Sequence, residues 1–248
     1  EHSLLTQSRH ARESTFEVNA DGFGVGWYTD RPTPGVYHDT RPAWNDRNLA
    51  SLAAHIRSPL FFGHIRAAVG SMVVRSNCHP FRHQRWLFQH NGAIGEFGKI
   101  KQRLDMQISP ELYAEKQGQT DTETMFLLSL TLGMMDDPQG GICRMIEKVE
   151  EARVAEGVKE AFRMTVATSD GETIYAARYA SHDAQPSLYH STPGAVLESA
   201  SGDRIELPED GYLILSEPLD DLPSHWAEVP ETSWLRLAAG VANISALF

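Results

Sequence analysis

"FRMTVATSDGETIYAARYA", residues 162–180, consists of two runs rich in β-branched, aromatic and small residues, joined at Asp170-Gly171. Gly accepts positive φ at no steric cost and Asp hydrogen-bonds its own backbone, so this stretch predicts a strand, a tight turn and a returning strand. Upstream, "LFFGHIRAAV" (60–69) reads as a buried strand and "RWLFQH" (85–90) as another, ending at Asn91-Gly92. "DGFGVGWYTD" (21–30) reads as a glycine-laced strand, followed by a turn at "RPTPG" and the short strand "VYHDT". Downstream, strands recur at 187–190, "GYLILS" (211–216) and "SWLRLA" (233–238). Helices lie between the two groups. In "GQTDTETMFLLSLTLGMM", Thr120 precedes Glu123 by the three residues of a capping box, ahead of an apolar run. "ICRMIEKVEEARVAEGVKEA" (142–161) puts Ile142, Met145, Ile146 and Val149 on one helix face. Strands that lead and trail around clustered helices predict an α+β layered sandwich, not a doubly wound parallel sheet.

The 248 residues suffice for one large domain or two small ones. No repeat, low-complexity block or Pro/Gly-rich linker divides them, so a single domain over 1–248 is expected. Lys and Arg number 22 against 33 Asp and Glu, a formal charge of −11. An acidic chain without a basic run is unsuited to nucleic acid or an anionic membrane. No apolar run approaches the roughly 18 residues of a spanning helix, and no signal peptide opens the sequence. With only Cys78 and Cys143 there is no disulfide framework, and a reducing cytoplasm is expected. The sequence opens on Glu1 rather than Met, so its true N-terminus is expected further upstream.

"GFGVG" (22–26) has the glycines of a phosphate loop but no following helix, and close backbone packing in a strand is the favoured reading. His79 and His83 are four apart, but Pro80 interrupts any shared helix face, and His55, His64 and His90 have no ligand-like spacing. No metal is expected. Cys78 adjoins His79, yet neighbours on an extended chain point to opposite faces, and Cys143 falls on a packed helical turn. Neither cysteine is expected to react. Asn91-Gly92 admits two readings, a tight turn or a side-chain amide and a backbone N–H side by side, the parts of an oxyanion hole. Arg66, ending a buried strand, is costly unless it meets an anion, and its planar fork suits a carboxylate. Asp121, in a first helical turn, serves the helix dipole or a ligand equally well. An arginine for a carboxylate, an aspartate for an ammonium and an oxyanion hole describe a pocket for an α-amino acid with a reactive side-chain carbonyl. Glutamine and γ-glutamyl compounds have that form.

"GHIRAA", "QHNG" and "TDTE", in this order, resemble the class II glutamine amidotransferases, N-terminal-nucleophile hydrolases with a catalytic Cys at the mature N-terminus. "EHSLLTQS", "NADGFGVGWY", "PAWNDRNL", "NCHPF" and "ILSEPL" extend the resemblance over residues 1 to about 220. They are similar to the stand-alone subfamily that includes the fungal glutathione-degradation amidotransferase subunit and, more distantly, to the γ-glutamyl hydrolase of ergothioneine synthesis. The resemblance implies a four-layer αββα sandwich. It implies Arg66 on the substrate α-carboxylate, Asp121 on the α-ammonium, Asn91 with Gly92 as oxyanion hole, and His90 ordering the loop or touching substrate. The nucleophile would lie upstream of Glu1, since neither Cys78 nor Cys143 falls at a matching position. The implied reaction is cleavage of a γ-amide of glutamine or a glutathione-like γ-glutamyl compound through a γ-glutamyl thioester, without metal or organic cofactor. A partner peptidase or synthase subunit, or a homo-oligomer, is compatible with it. Two alternatives stand beside it: an ammonia-donating glutaminase subunit for a separate synthase, and a non-catalytic γ-glutamyl-binding module if the native N-terminus lacks Cys. Because "AIGEFGKIKQ" does not alternate as a returning strand, Asn91-Gly92 is expected to be a turn as well as the oxyanion hole.

Overall fold

The computed structural model describes residues 4–9, 18–68, 71–182, 185–198 and 204–248; Glu1 lies outside them. The first elements are α1 (Leu4–Arg9), β1 (Phe23–Trp27), β2 (Gly35–Asp39), α2 (Arg47–His55), β3 (Phe61–Ile65), β4 (Phe81–His83) and β5 (Trp86–Ile94). Next come α3 (Phe97–Asp105), α4 (Pro110–Tyr113), α5 (Asp121–Thr131) and α6 (Pro138–Ala155). The remaining elements are strands: β6 (Phe162–Ser169), β7 (Ile174–Ala180), β8 (Tyr189–Ser191), β9 (Val196–Glu198), β10 (Arg204–Glu206), β11 (Ile214–Leu215), β12 (Trp226–Glu228), β13 (Ser233–Ala238) and β14 (Val241–Ala246).

The 162–180 hairpin forms as its sequence predicts. Asp170 Oδ1 accepts from the backbone N–H of Glu172 and Thr173, both at 2.9 Å, and Gly171 takes φ +96°. Onto β6 and β7 the chain adds β5 and β13, then β4 and β14, giving a six-stranded antiparallel sheet ordered β14-β13-β7-β6-β5-β4. One face packs on α3, α5 and α6, where Phe88 stacks on Phe126 with ring centroids 5.0 Å apart. The other face meets two three-stranded sheets, β2-β1-β3 through Tyr28, Phe62 and Leu87, and β11-β8-β12 through Leu188, Ala176 and Leu235. α1 lies against β3, with Leu4 and Ser8 reaching the cavity between the sheets. Helices, large sheet and small sheets make the expected α+β sandwich. Among the described residues no helix is long and apolar enough to cross a membrane.

The glycines of "GFGVG" serve packing. A Cβ on Gly24 would lie 2.0 Å from the His79 carbonyl oxygen and one on Gly26 2.7 Å from Leu87. Four expectations need correction. Asn91-Gly92 is not a turn: β5 continues to Ile94, with Asn91 opposite Thr165 and Gly92 opposite Met164. Gly92 does adopt φ +132°, and a Cβ there would come 2.1 Å from Arg163 O, so the glycine answers to a close strand neighbour instead of a hairpin. The strand at 60–69 is shorter and less buried than expected, because Phe61 is 66% exposed at an outer edge. The second long helix starts earlier, at Pro138, where Asp137 caps Gly140 N at 3.0 Å, and it ends before Gly157 at φ +64°. The capping box closes only halfway: Thr120 Oγ1 accepts from Glu123 N, while the Glu123 carboxylate turns to the N–H groups of Gln117 and Gly118.

Phe88 is fully buried and joins the large sheet to α5. Phe88→Ala should therefore lower unfolding free energy by about 3–5 kcal/mol, the range for deleting a core aromatic. Urea denaturation measures it, and a loss below about 1 kcal/mol would show that the sheet–helix interface does not depend on this ring.

Candidate active site

Successive residues of a strand face opposite sides, and β5 uses this to separate core from site. Leu87 packs between the sheets and Phe88 against the helices. Beyond them Gln89 and Asn91 line a cavity of about 150 Å³, walled opposite by His64 and Ile65 of β3 and by Ile214 and Leu215 of β11. The Asn91 side-chain amide makes no hydrogen bond among the described residues and is exposed. Its backbone carbonyl is held by Thr165 Oγ1, which donates at 3.3 Å from the facing strand.

His90 borders the same cavity but sends its ring towards α5. Nε2 lies 3.3 Å from Arg163 O and Nδ1 3.0 Å from Thr122 Oγ1. A carbonyl can only accept, so Nε2 carries the proton and the neutral ring accepts from Thr122 at Nδ1. Burial pushes the His90 pKa down, with the Asp121 charge pulling the other way. Asp121 opens α5, accepting from Thr122 N at 2.8 Å through Oδ1 and from Ile94 N at 3.0 Å through Oδ2. It thus ties the start of α5 to the end of the strand that carries Asn91.

Arg66 follows Ile65 out of β3 and is 4% exposed. Its guanidinium donates to Asp21 O (3.3 Å), Ser71 Oγ (2.6 Å) and Met72 O (3.2 Å), all neutral acceptors. The structure thus brings His90 and Asn91 to the cavity wall, while Arg66, Gly92 and Asp121 stand on the adjoining segments, outside its lining.

Most of the cavity lining escaped the sequence reading, Gln89, Thr165, His64 and Glu217 among it. Gln89 and Thr165 arrive through strand alternation and register, and His64 through a sheet contact, none of which leaves a local signature. Glu217 lies within "ILSEPL", which carries the resemblance but assigns it no role. The His64 and His79 rings lie 4.1 Å apart at a 46° tilt, and neither Nδ1 has a hydrogen-bond partner among the described residues. Burial lowers the pKa of His64 to about 3, and the nearby His90 and Arg66 push it the same way. His79 is also held well below the usual imidazole range, first by burial and then by His64. Among the described residues no three of His, Cys, Asp and Glu converge as metal ligands. Cys78 is buried with Sγ near Asp39 O and Val74 O, and Cys143 Sγ contacts Leu247 O. Burial raises both thiol pKa values and neither side chain borders the cavity.

An antiparallel α+β sandwich with an asparagine-bearing strand bordering an inter-sheet cavity is the architecture of an amidohydrolase. Residues 3–186 match the model of the class-II glutamine amidotransferases, and the chain belongs to that family of enzymes. It is 31% identical to the probable glutamine amidotransferase DUG3 of Saccharomyces cerevisiae, covering 95% of this chain and 75% of that protein. It is 26% identical to the gamma-glutamyl-hercynylcysteine sulfoxide hydrolase of Mycolicibacterium smegmatis, covering 92% and 82% respectively. A solved class-II domain protein from Silicibacter pomeroyi superposes with TM-score 0.73 at 38% identity, covering 90% of each chain.

The unfolded chain protonates its histidines near the reference value of about 6.5, whereas native His64 stays neutral until about pH 3. Below pH 6.5 the unfolded state therefore binds more protons, and native stability should fall progressively as pH drops from there towards 3. Urea midpoints measured along this range should decline. The His64 ring should show no NMR titration across about pH 5–8, where free imidazole changes charge; a midpoint near neutrality would contradict its burial.

Proposed function

We propose that this chain cleaves the γ-amide of a γ-glutamyl compound through a thioester formed on a cysteine supplied upstream of Glu1. One observation carries the reading. Asp121 is hydrogen-bonded to Ile94 N, three residues beyond Asn91, while Ile65, beside Arg66, faces the same cavity as Asn91. Three segments distant in sequence thus adjoin one cavity, with Asn91 on its wall and Arg66 and Asp121 outside its lining, and together they carry the charges and donor that an α-amino acid amide requires.

A guanidinium has five N–H donors, and Arg66 commits three of them to neutral oxygens. Its charge stays uncompensated by any described carboxylate, which suits it to hold the substrate α-carboxylate. Asp121 would take the α-ammonium. His90 holds Thr122 beside Asp121 and so supports that carboxylate from behind. The thiol proton passes to the nucleophile's own α-amine, whose reference pKa is about 7.7–8.0. The thiolate then adds to the carbonyl carbon of the γ-amide, and the displaced electron pair rests on oxygen between the Asn91 amide and the Gly92 N–H. Collapse breaks the C–N bond, and the departing amine takes the proton held by the α-ammonium. Water then cleaves the thioester, releasing glutamate and restoring the thiol. Cys78 and Cys143 cannot substitute, since burial holds both as thiols away from the cavity.

The subfamily resemblance and the γ-glutamyl substrate named for the M. smegmatis relative support a γ-glutamyl peptide such as glutathione over glutamine. On this reading residues 1–248 form one amidotransferase domain that works in the cytoplasm, as a homo-oligomer or with a peptidase or synthase subunit.

Asn91→Ala should lower kcat by about 10²–10³ with KM little changed, because the amide acts mainly once charge develops on oxygen. A folded variant with undiminished kcat would leave Asn91 only its place in β5. For the leaving group, kcat/KM for glutathione and for glutamine should be compared in the full-length protein with its native N-terminus. Glutathione is expected to be preferred; a tenfold preference for glutamine, about 1.4 kcal/mol of transition-state binding, would instead mark an ammonia-donating glutaminase.

A further inference from the structure

We infer that Asn77 is a positioning residue that sets the distance between Arg66 and Asp121; the inference rests on the substrate roles proposed for those two. The α-carboxylate and α-ammonium of an amino acid hang on one carbon, so their two counter-charges must keep a fixed spacing. A misplacement of about 1 Å can cost about 10²-fold in rate. Yet Arg66 leaves β3 in a small sheet, whereas Asp121 opens α5 behind the large one, and no strand ladder joins them.

Asn77 spans the gap. It is 0% exposed, and its Nδ2 donates to Met72 O at 2.9 Å, the carbonyl that also accepts from Arg66 at 3.2 Å. Its Oδ1 accepts from Gln119 N at 3.0 Å, two residues before Asp121. One end must donate to a carbonyl and the other accept from an N–H, which only a side-chain amide of this orientation does. Gly118 allows the approach, since a Cβ there would lie 2.5 Å from Asn77 Oδ1. Glu123 stiffens the same turn by accepting from Gln117 N at 2.8 Å and Gly118 N at 2.7 Å. Arg66 and Asp121 are thereby referred to one rigid amide, although neither touches it.

Asn77→Asp keeps the shape and the acceptor for Gln119 but sets an anionic oxygen against Met72 O. In the full-length enzyme it should raise KM for the γ-glutamyl substrate about tenfold and leave kcat within about threefold, since the ground-state fit of the α-groups is what changes. In an Arg66→Ala background the same change should cost less than about threefold in KM, because coupled residues are not additive. A purely structural role predicts a lower Tm with unchanged KM, or equal costs in both backgrounds, and either result overturns the inference. If Arg66→Ala itself leaves KM unchanged, the pocket assignment falls; if only Asn77→Asp does, the assignment stands and the clamp falls. Should the variant not fold, wild-type amide exchange decides: glutamate, which carries the same α-groups, should slow exchange at Gln119 N, and unchanged exchange overturns the inference.

Discussion

The register of β5 against β6 is the constraint from which the rest of the site follows. Leu87 faces Ser169 at one end and Ile94 faces Phe162 at the other, so Phe88 and His90 fall on the helix side and Gln89 and Asn91 on the cavity side. A slip of one residue would exchange the two sets. Asn91 would then enter the packed helix interface, and Phe88 would fill the cavity. The core therefore enforces the site: Phe88 against Phe126 and Leu87 against Tyr28 and Phe62 specify one register, and Asn91 is placed by their burial without contributing to it. Gly92 completes the arrangement, because only a residue without Cβ lets the strand pass Arg163 O at that point.

Around this strand the buried polar groups are satisfied largely by backbone. Arg66 meets two carbonyls and a hydroxyl, Asp121 two N–H groups, and Glu123 two more. On the proposed reading, direct pairing of Arg66 with Asp121 would cancel the charges that bind the α-groups of the substrate. Backbone partners satisfy the hydrogen-bonding demand of a buried charge without neutralising it. Further from the cavity the pattern reverses: Lys116, whose pKa burial lowers, sits between Asp105 and Glu123, which pull it back up.

Local chemistry made some of this legible in the sequence and tertiary context hid the rest. The 162–180 hairpin and the 233–238 strand were readable because alternation and turn residues suffice to specify them. Extended-chain geometry argued against Cys78 pairing with His79, and the structure buries Cys78 away from the cavity. Asn91-Gly92 misled as a turn because the positive φ that glycine supplies is also what a crowded strand can require. Strands such as β9, β10 and β12, three residues each, carry no periodicity to detect. The His64–His79 contact and the reach of Asn77 to Gln119 join residues across the fold, and single-chain patterns do not encode which loops meet.

The division of labour between elements bears on how such a site changes substrate. On the proposed reading Arg66, Asn91 and Asp121 recognise only the glutamyl half, which glutamine and every γ-glutamyl peptide share. Asn91 and Asp121 belong to β5 and α5, locked by the large core, and Arg66 follows β3, which the cluster of Tyr28, Phe62 and Leu87 holds to the large sheet. The apolar wall formed by Leu188, Ile214 and Leu215 belongs to the separate β11-β8-β12 segment, whose strands are short and whose core cluster is small. Substitutions there can reshape the cavity without disturbing the β5 register or the Asn77 bridge. On that reading selectivity for the leaving amine can drift while the chemistry stays fixed.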